Sequence, residues 1–263
     1  MSRHVELTDS RIYYDDVGRG DVVLLLHGLG LDLRMWDAQV PVLAERYRVV
    51  RLDLHGFGKS SRVTGPYSHS EIIGELLGYL EIERAHVVGL SYGGQLAAEF
   101  VQAYPRRARS LVLVDTDISG LPLKRLGPSL AKIFDAGKTD VEAAKRLWLS
   151  HEIFAAAREQ PSVLARLEQM IGDYSGWIFA NVGARFERKP KPPTAEVLQD
   201  LRLPALVVVG EHDLPDFQDM ADEVVRRLPG ARKVVLEGAG HLCNMEDPAS
   251  FNRVLLEFLS TAS

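Results

Sequence analysis

Residues 89–94 read GLSYGG, directly after the apolar run HVV and directly before QLAAEF. A strand-like run, a serine with glycine two positions to either side and then a helical pattern describe a sharp strand-to-helix turn. Such a turn forces its central residue into a strained backbone conformation and leaves its neighbours no room for side chains. Gly89 and Gly93 remove that crowding around Ser91. The Ser91 hydroxyl is therefore predicted to stand out of a sheet edge, at the start of a helix whose N–H groups and dipole favour developing negative charge. A loop serine among small residues would also satisfy G-x-S-x-G; the flanking strand and helix argue for the sharp turn.

Outward from this turn, short β-branched runs alternate with amphipathic stretches. The runs at 22–26, 47–53, 85–90, 110–115, 205–210 and 232–238 are apolar throughout, the pattern of central parallel strands buried on both faces. Near the start, HVEL and RIYYDD alternate, as an antiparallel edge hairpin would. Helical patterns occupy about 36–46, 70–81, 92–104, 217–228 and 247–261. Strands alternating with helices predict a doubly wound α/β sheet.

The alternation breaks at about 119–198, where patterns such as DVEAAKRLWLS and SVLARLEQMIG are helical and no convincing strand occurs. The predicted division is a core from 1–118, a helical insertion at 119–198 and a second core part at 199–263. Phe134, Trp148, Phe154, Tyr174, Trp177 and Phe179 suit the wall of a dry pocket, and equally the packing of a helical appendage. Trp148 and Trp177 are the substrate-binding candidates.

A hydroxyl is a poor nucleophile unless a base lies within hydrogen-bond reach. LEGAGHLCNMEDP (236–248) places His241 after a predicted strand, in a loop that Gly238 and Gly240 free to bend back. VVVGEHDLPD (207–216) places Asp213 just past another strand, where an acid can fix the histidine tautomer. Three strand ends thus deliver Ser, Asp and His to one edge of a parallel sheet, where such folds carry their sites. LLLHGLGLD (24–32) adds a glycine-rich turn. Its Leu29 N–H, with that of Tyr92, is the predicted pair of oxyanion donors, each typically worth about 3–4 kcal/mol in the transition state.

HGLG, DLHGFGKS, GLSYGG, GEHD and GAGHLCNMEDP together resemble the successive signature stretches of the α/β-hydrolase superfamily, over nearly the whole chain. The resemblance implies an eight-stranded, mostly parallel sheet with flanking helices, a variable helical cap at 119–198, a Ser91–Asp213–His241 triad and oxyanion donors at Leu29 and Tyr92. In some members the acid comes from the neighbouring strand end, where Asp115 and Asp117 stand here; GEHD is the usual acid turn and favours Asp213. Ser91 argues against the members with an aspartate nucleophile, the dehalogenases and epoxide hydrolases.

The expected activity is cleavage of a small, largely apolar ester or lactone through an acyl-enzyme. The alternatives are hydrolysis of a carbon–carbon bond in a vinylogous diketone, as some members of this family perform, or ligand sensing with vestigial turnover. A strongly anionic substrate would want a buried cation, and Arg125, Arg146, Arg158, Arg166 and Arg185 mostly fall on polar helix faces. A carboxylate-bearing lactone, as for the enol-lactonases the chain also resembles, ranks second.

Other functions find less support. A net charge of −5 and 25% charged residues give no reason to expect nucleic acid or an anionic membrane as partner. GFGKS (56–60) lacks the glycine a phosphate loop needs at position 53, and HEIFA (151–155) lacks the second histidine of a zinc helix. No cofactor or metal is expected. His27 and His55 are predicted to make structural hydrogen bonds. One cysteine, Cys243, excludes an internal disulfide and reads as a small buried filler. The first residues show no apolar signal core, and the apolar runs are too short to span a bilayer. These features point to a soluble, cytoplasmic protein with a small-molecule substrate.

Overall fold

The computed structural model describes residues 3–181 and 186–262; Arg185, among the arginines noted above, lies outside the described residues. Eight strands form one sheet: β1 (Arg3–Glu6), β2 (Arg11–Gly18), β3 (Val22–Leu26), β4 (Arg48–Leu52), β5 (Ala85–Leu90), β6 (Ala108–Val114), β7 (Ala205–Gly210) and β8 (Arg232–Leu236). Their order is β1-β2-β4-β3-β5-β6-β7-β8. Only β2 runs against its neighbours; β4, β3, β5, β6, β7 and β8 pair in parallel. The predicted edge hairpin is β1 against β2, in antiparallel register.

Burial explains the apolar runs. Every residue of β3, β5 and β7 is buried, because helices cover both faces of the sheet centre. The β8 edge is instead only partly covered, with Arg232 and Val235 open to solvent. Four long helices lie close to their predicted positions: His69–Tyr79, Tyr92–Ala103, Pro215–Arg227 and Pro248–Thr261. The continuous helix expected at 36–46 is instead a 3-10 turn, Leu33–Trp36, and one short α-turn, Val40–Leu43. Pro41 stands in the first turn of the second piece, where its missing N–H costs nothing and a continuous helix would be interrupted. β6 ends one residue early because Asp115 takes a positive φ of 42°.

Between β6 and β7 the chain is helical, with principal helices Gly127–Gly137, Val141–Leu149 and Pro161–Asp173. The Asp140 carboxylate caps the second of these by accepting from Ala143 N–H at 2.9 Å. Aromatic rings seat this segment on the sheet: Tyr174 stacks on Phe57 with centroids 5.1 Å apart, and Phe179 packs edge-on against Tyr174. Phe154, Tyr174 and Phe179 are fully buried and belong to the packing of this segment. No helix among the described residues is long and apolar enough to cross a membrane.

Candidate active site

Ser91 sits between β5 and the helix Tyr92–Ala103, at φ 54° and ψ −119°, a backbone region that side-chain-bearing residues rarely enter. The glycines around it are required by close approach. A Cβ on Gly89 would lie 2.1 Å from the Gly93 carbonyl oxygen, and one on Gly93 would lie 2.3 Å from that of Leu26. Gly94, a third, faces Thr116, whose Oγ1 would stand 2.2 Å from an added Cβ. Thr116 Oγ1 also donates to the Ser91 carbonyl at 3.3 Å, tying the end of β6 to the turn. Tyr92 is the first helical residue, so its N–H has no acceptor within the helix and is free to serve a ligand.

The turn after β3 is fixed from behind. His27 is fully buried; its Nε2 accepts from Leu54 N–H at 2.9 Å and its Nδ1 donates to the Gly28 carbonyl at 2.8 Å. Burial pushes its pKa down to about 4, so the ring is neutral and can accept and donate at once. The predicted structural role of His27 is this bridge between the ends of β3 and β4. Asp53 performs a similar service, accepting from Leu33 N–H at 2.9 Å and from Lys59 N–H at 2.7 Å. Gly58, at φ +50°, leaves the room that this carboxylate fills. Phosphate has no place there. His55, also assigned a structural role from the sequence, lies 3.3 Å from the Ser61 hydroxyl and packs edge-on against Tyr67.

Asp213 and His241 meet at the carboxyl ends of β7 and β8. His241 Nδ1 lies 3.0 Å from both carboxylate oxygens of Asp213, and both side chains are buried. Asp213 Oδ1 also accepts from Leu214 N–H at 2.7 Å, which fixes the carboxylate plane. With Nδ1–H donated to Asp213, the other ring nitrogen, Nε2, carries the free lone pair of a base. Phe217 covers the imidazole with a ring centroid 4.3 Å away.

Two further acids support this pair: Glu246, which the sequence did not single out, and Asp115, weighed there as a rival to Asp213. Glu246 brackets His241: its carboxylate accepts from Gly240 N–H on one side and from Leu242 N–H, at 3.2 Å, on the other. Asp115 lies behind Asp213, accepting from Gly210 N–H at 2.8 Å. Burial first, and then the Asp213 charge, hold the Asp115 carboxyl well above the ordinary carboxylate range. Asp115 therefore sits behind Asp213 with its charged form disfavoured, and His241 Nδ1 turns to Asp213. The Cys243 thiol is buried against Asp115, the filler position expected of it.

A cavity of about 190 Å³ lies between the sheet edge and the helical segment. Leu29, Ser91, Tyr92, Asp117 and Phe217 line it from the sheet side; Phe134, Trp148 and Ile178 are among its lining residues from the helical side. Trp148 thus lies where the sequence suggested. Trp177 does not: its ring faces Phe186, with centroids 6.1 Å apart, and the next residue, Ile178, lines the cavity. The helix Trp177–Ala180 is one turn long, too short for a periodic pattern to reveal which side chain points inward.

Known proteins bear on this arrangement. A 2-hydroxy-6-oxononadienedioate/2-hydroxy-6-oxononatrienedioate hydrolase of Burkholderia vietnamiensis is 31% identical, covering 96% of this chain and 92% of its own. A thermophilic esterase from Thermogutta terrifontis superposes with a TM-score of 0.85 at 26% identity, covering 99% of each chain. An enol-lactonase from Burkholderia xenovorans shares the fold, with a TM-score of 0.84 at 24% identity, over 98% of this chain and 100% of its own. A family model for the alpha/beta hydrolase fold matches residues 21–248. Sequence match, sheet order and strand-end site agree, and the chain belongs to the α/β-hydrolase family.

Proposed function

We propose that the protein is a serine hydrolase that cleaves a small, largely apolar ester or lactone. The observation that carries this is the strained, glycine-cleared Ser91 opening into the same apolar cavity as Leu29 and Tyr92, with a buried Asp213–His241 pair at the neighbouring strand ends. In the proposed cycle, His241 Nε2 takes the proton of Ser91 Oγ as the oxygen attacks the ester carbonyl. Asp213 stabilises the imidazolium, and the N–H groups of Leu29 and Tyr92 hold the oxyanion. The alkoxide leaves with the histidine proton, and water, deprotonated by the same histidine, then releases the acid from Ser91. Residues 119–198 act as the cap that closes the apolar side. Trp148 is a wall of the acyl site, and Ile178 takes the part the sequence suggested for Trp177.

A second reading has the names of the sequence relatives in its favour: hydrolysis of a carbon–carbon bond beside a ketone. A panel that includes p-nitrophenyl butyrate and a coloured ring-cleavage dienoate separates the two. Release of p-nitrophenolate by the wild type and not by Ser91→Ala supports the ester reading. Loss of the dienoate colour without turnover of any ester would overturn it in favour of the second.

A further inference from the structure

We propose that Asp117 is a specificity-determining residue that turns away substrates bearing a carboxylate on the acyl side, so that the site takes uncharged acyl groups. This rests on the reading of Ser91 as nucleophile and narrows the substrate class of that site. It also separates this chain from relatives named for dienedioates, whose substrates carry two carboxylates at neutral pH.

Asp117 lines the cavity together with Ser91, and the remaining lining is apolar apart from Tyr92 and the indole N–H of Trp148. No lysine or arginine is among the lining residues described. Among the described residues, four arginines of the helical segment are engaged elsewhere. Arg125 pairs with Asp219 at 3.0 Å, Arg146 with Asp140 at 3.7 Å and Arg166 with Asp37 at 3.0 Å, and Arg158 donates to the His151 carbonyl at 2.6 Å. Burial raises the Asp117 pKa above the ordinary carboxylate value, while the Lys189 charge, and more weakly His241, favour its ionised form. Lys189 itself stands 3.8 Å from both Glu99 and Glu187.

A substrate carboxylate entering this cavity would leave water, find no described cation and approach a like charge. At about 5 Å and an effective dielectric constant near 20, that repulsion corresponds to on the order of 100-fold in kcat/KM. An uncharged group of the same shape escapes it. The polar end of such a substrate is the reacting carbonyl alone, which Ser91 and the oxyanion donors serve.

The test compares methyl hydrogen succinate with its uncharged isostere, methyl isocaproate, at pH 8, by acid release with the wild type, Asp117→Asn and Asp117→Ser. The wild type is expected to prefer isocaproate by on the order of 100-fold, and both variants to narrow that ratio at least tenfold. Calorimetric binding of the same two esters to Ser91→Ala, with and without Asp117→Asn, reads the same selectivity without turnover. A narrowed binding ratio in a protein that hydrolyses neither ester would uphold the role of Asp117 while sinking the esterase reading. Turnover of isocaproate with a ratio near one in the wild type, or a ratio unmoved in both variants, would overturn the proposal for Asp117.

Discussion

Ser91 reaches its place because three neighbours have no side chain and a fourth, Thr116, holds its carbonyl. If Ser91 and His241 act as one unit, Ser91→Ala or His241→Ala alone lowers kcat by about 10⁶ on the best ester, with circular dichroism unchanged. Asp213→Asn lowers it by about 10⁴, since the amide favours the wrong tautomer of His241. Asp115→Asn is predicted to cost far less than Asp213→Asn, because His241 Nδ1 bonds Asp213, while burial and the Asp213 charge disfavour ionisation of Asp115. A larger loss in Asp115→Asn or Asp117→Asn than in Asp213→Asn would mean the acid comes from β6. Ser91, Asp213 and His241 were legible because each follows an apolar run and stands beside glycine or another turn-forming residue. Glu246 was not: its role depends on the short turn Cys243–Glu246, which folds the carboxylate back onto the His241 loop and leaves no periodic trace.

At the scale of elements, the turns at the carboxyl ends of β3 and β5 are held by contacts that can be broken singly. Gly89→Ala would drive a Cβ into the Gly93 carbonyl, a backbone atom that cannot step aside. The expected cost is about 3 kcal/mol, seen as a lower urea midpoint. The His27 bridge gives the fold an acid limit. The unfolded chain takes up a proton near pH 6.5, whereas buried His27 accepts one only near pH 4. Stability from this group is therefore complete above pH 6.5 and is lost as the pH falls toward 4, by about 3 kcal/mol. Urea titrations between pH 7 and 4.5 should show a shallower decline for His27→Gln than for the wild type; parallel declines would contradict the buried neutral ring. The central strands β3, β5 and β7 were legible because full burial leaves uninterrupted apolar runs. The break at Pro41 was less so, because local apolar spacing continues across it while the hydrogen-bond ladder does not.

Over the whole molecule, the cavity between sheet and helical segment decides what the proposed hydrolase accepts. Its volume is about 190 Å³. Acyl chains up to butyryl should gain kcat/KM by about 1 kcal/mol per methylene, and long lipid chains should lose it for want of space. A flat profile of p-nitrophenyl esters, or one that peaks at dodecanoyl and beyond, would mean that residues 119–198 do not close the site. The parallel sheet and the helical segment were readable from the alternation of patterns and its interruption. Which aromatic rings face the cavity was not, since Phe154, Tyr174 and Phe179 serve the packing of the segment with the same residue types. The central claim is that Ser91 is an activated nucleophile. Intact-protein mass spectrometry after treatment with a fluorophosphonate tests it most directly. A single adduct on the wild type, mapped to the peptide containing Ser91 and absent from Ser91→Ala, is the predicted result; an adduct that persists in Ser91→Ala would contradict it.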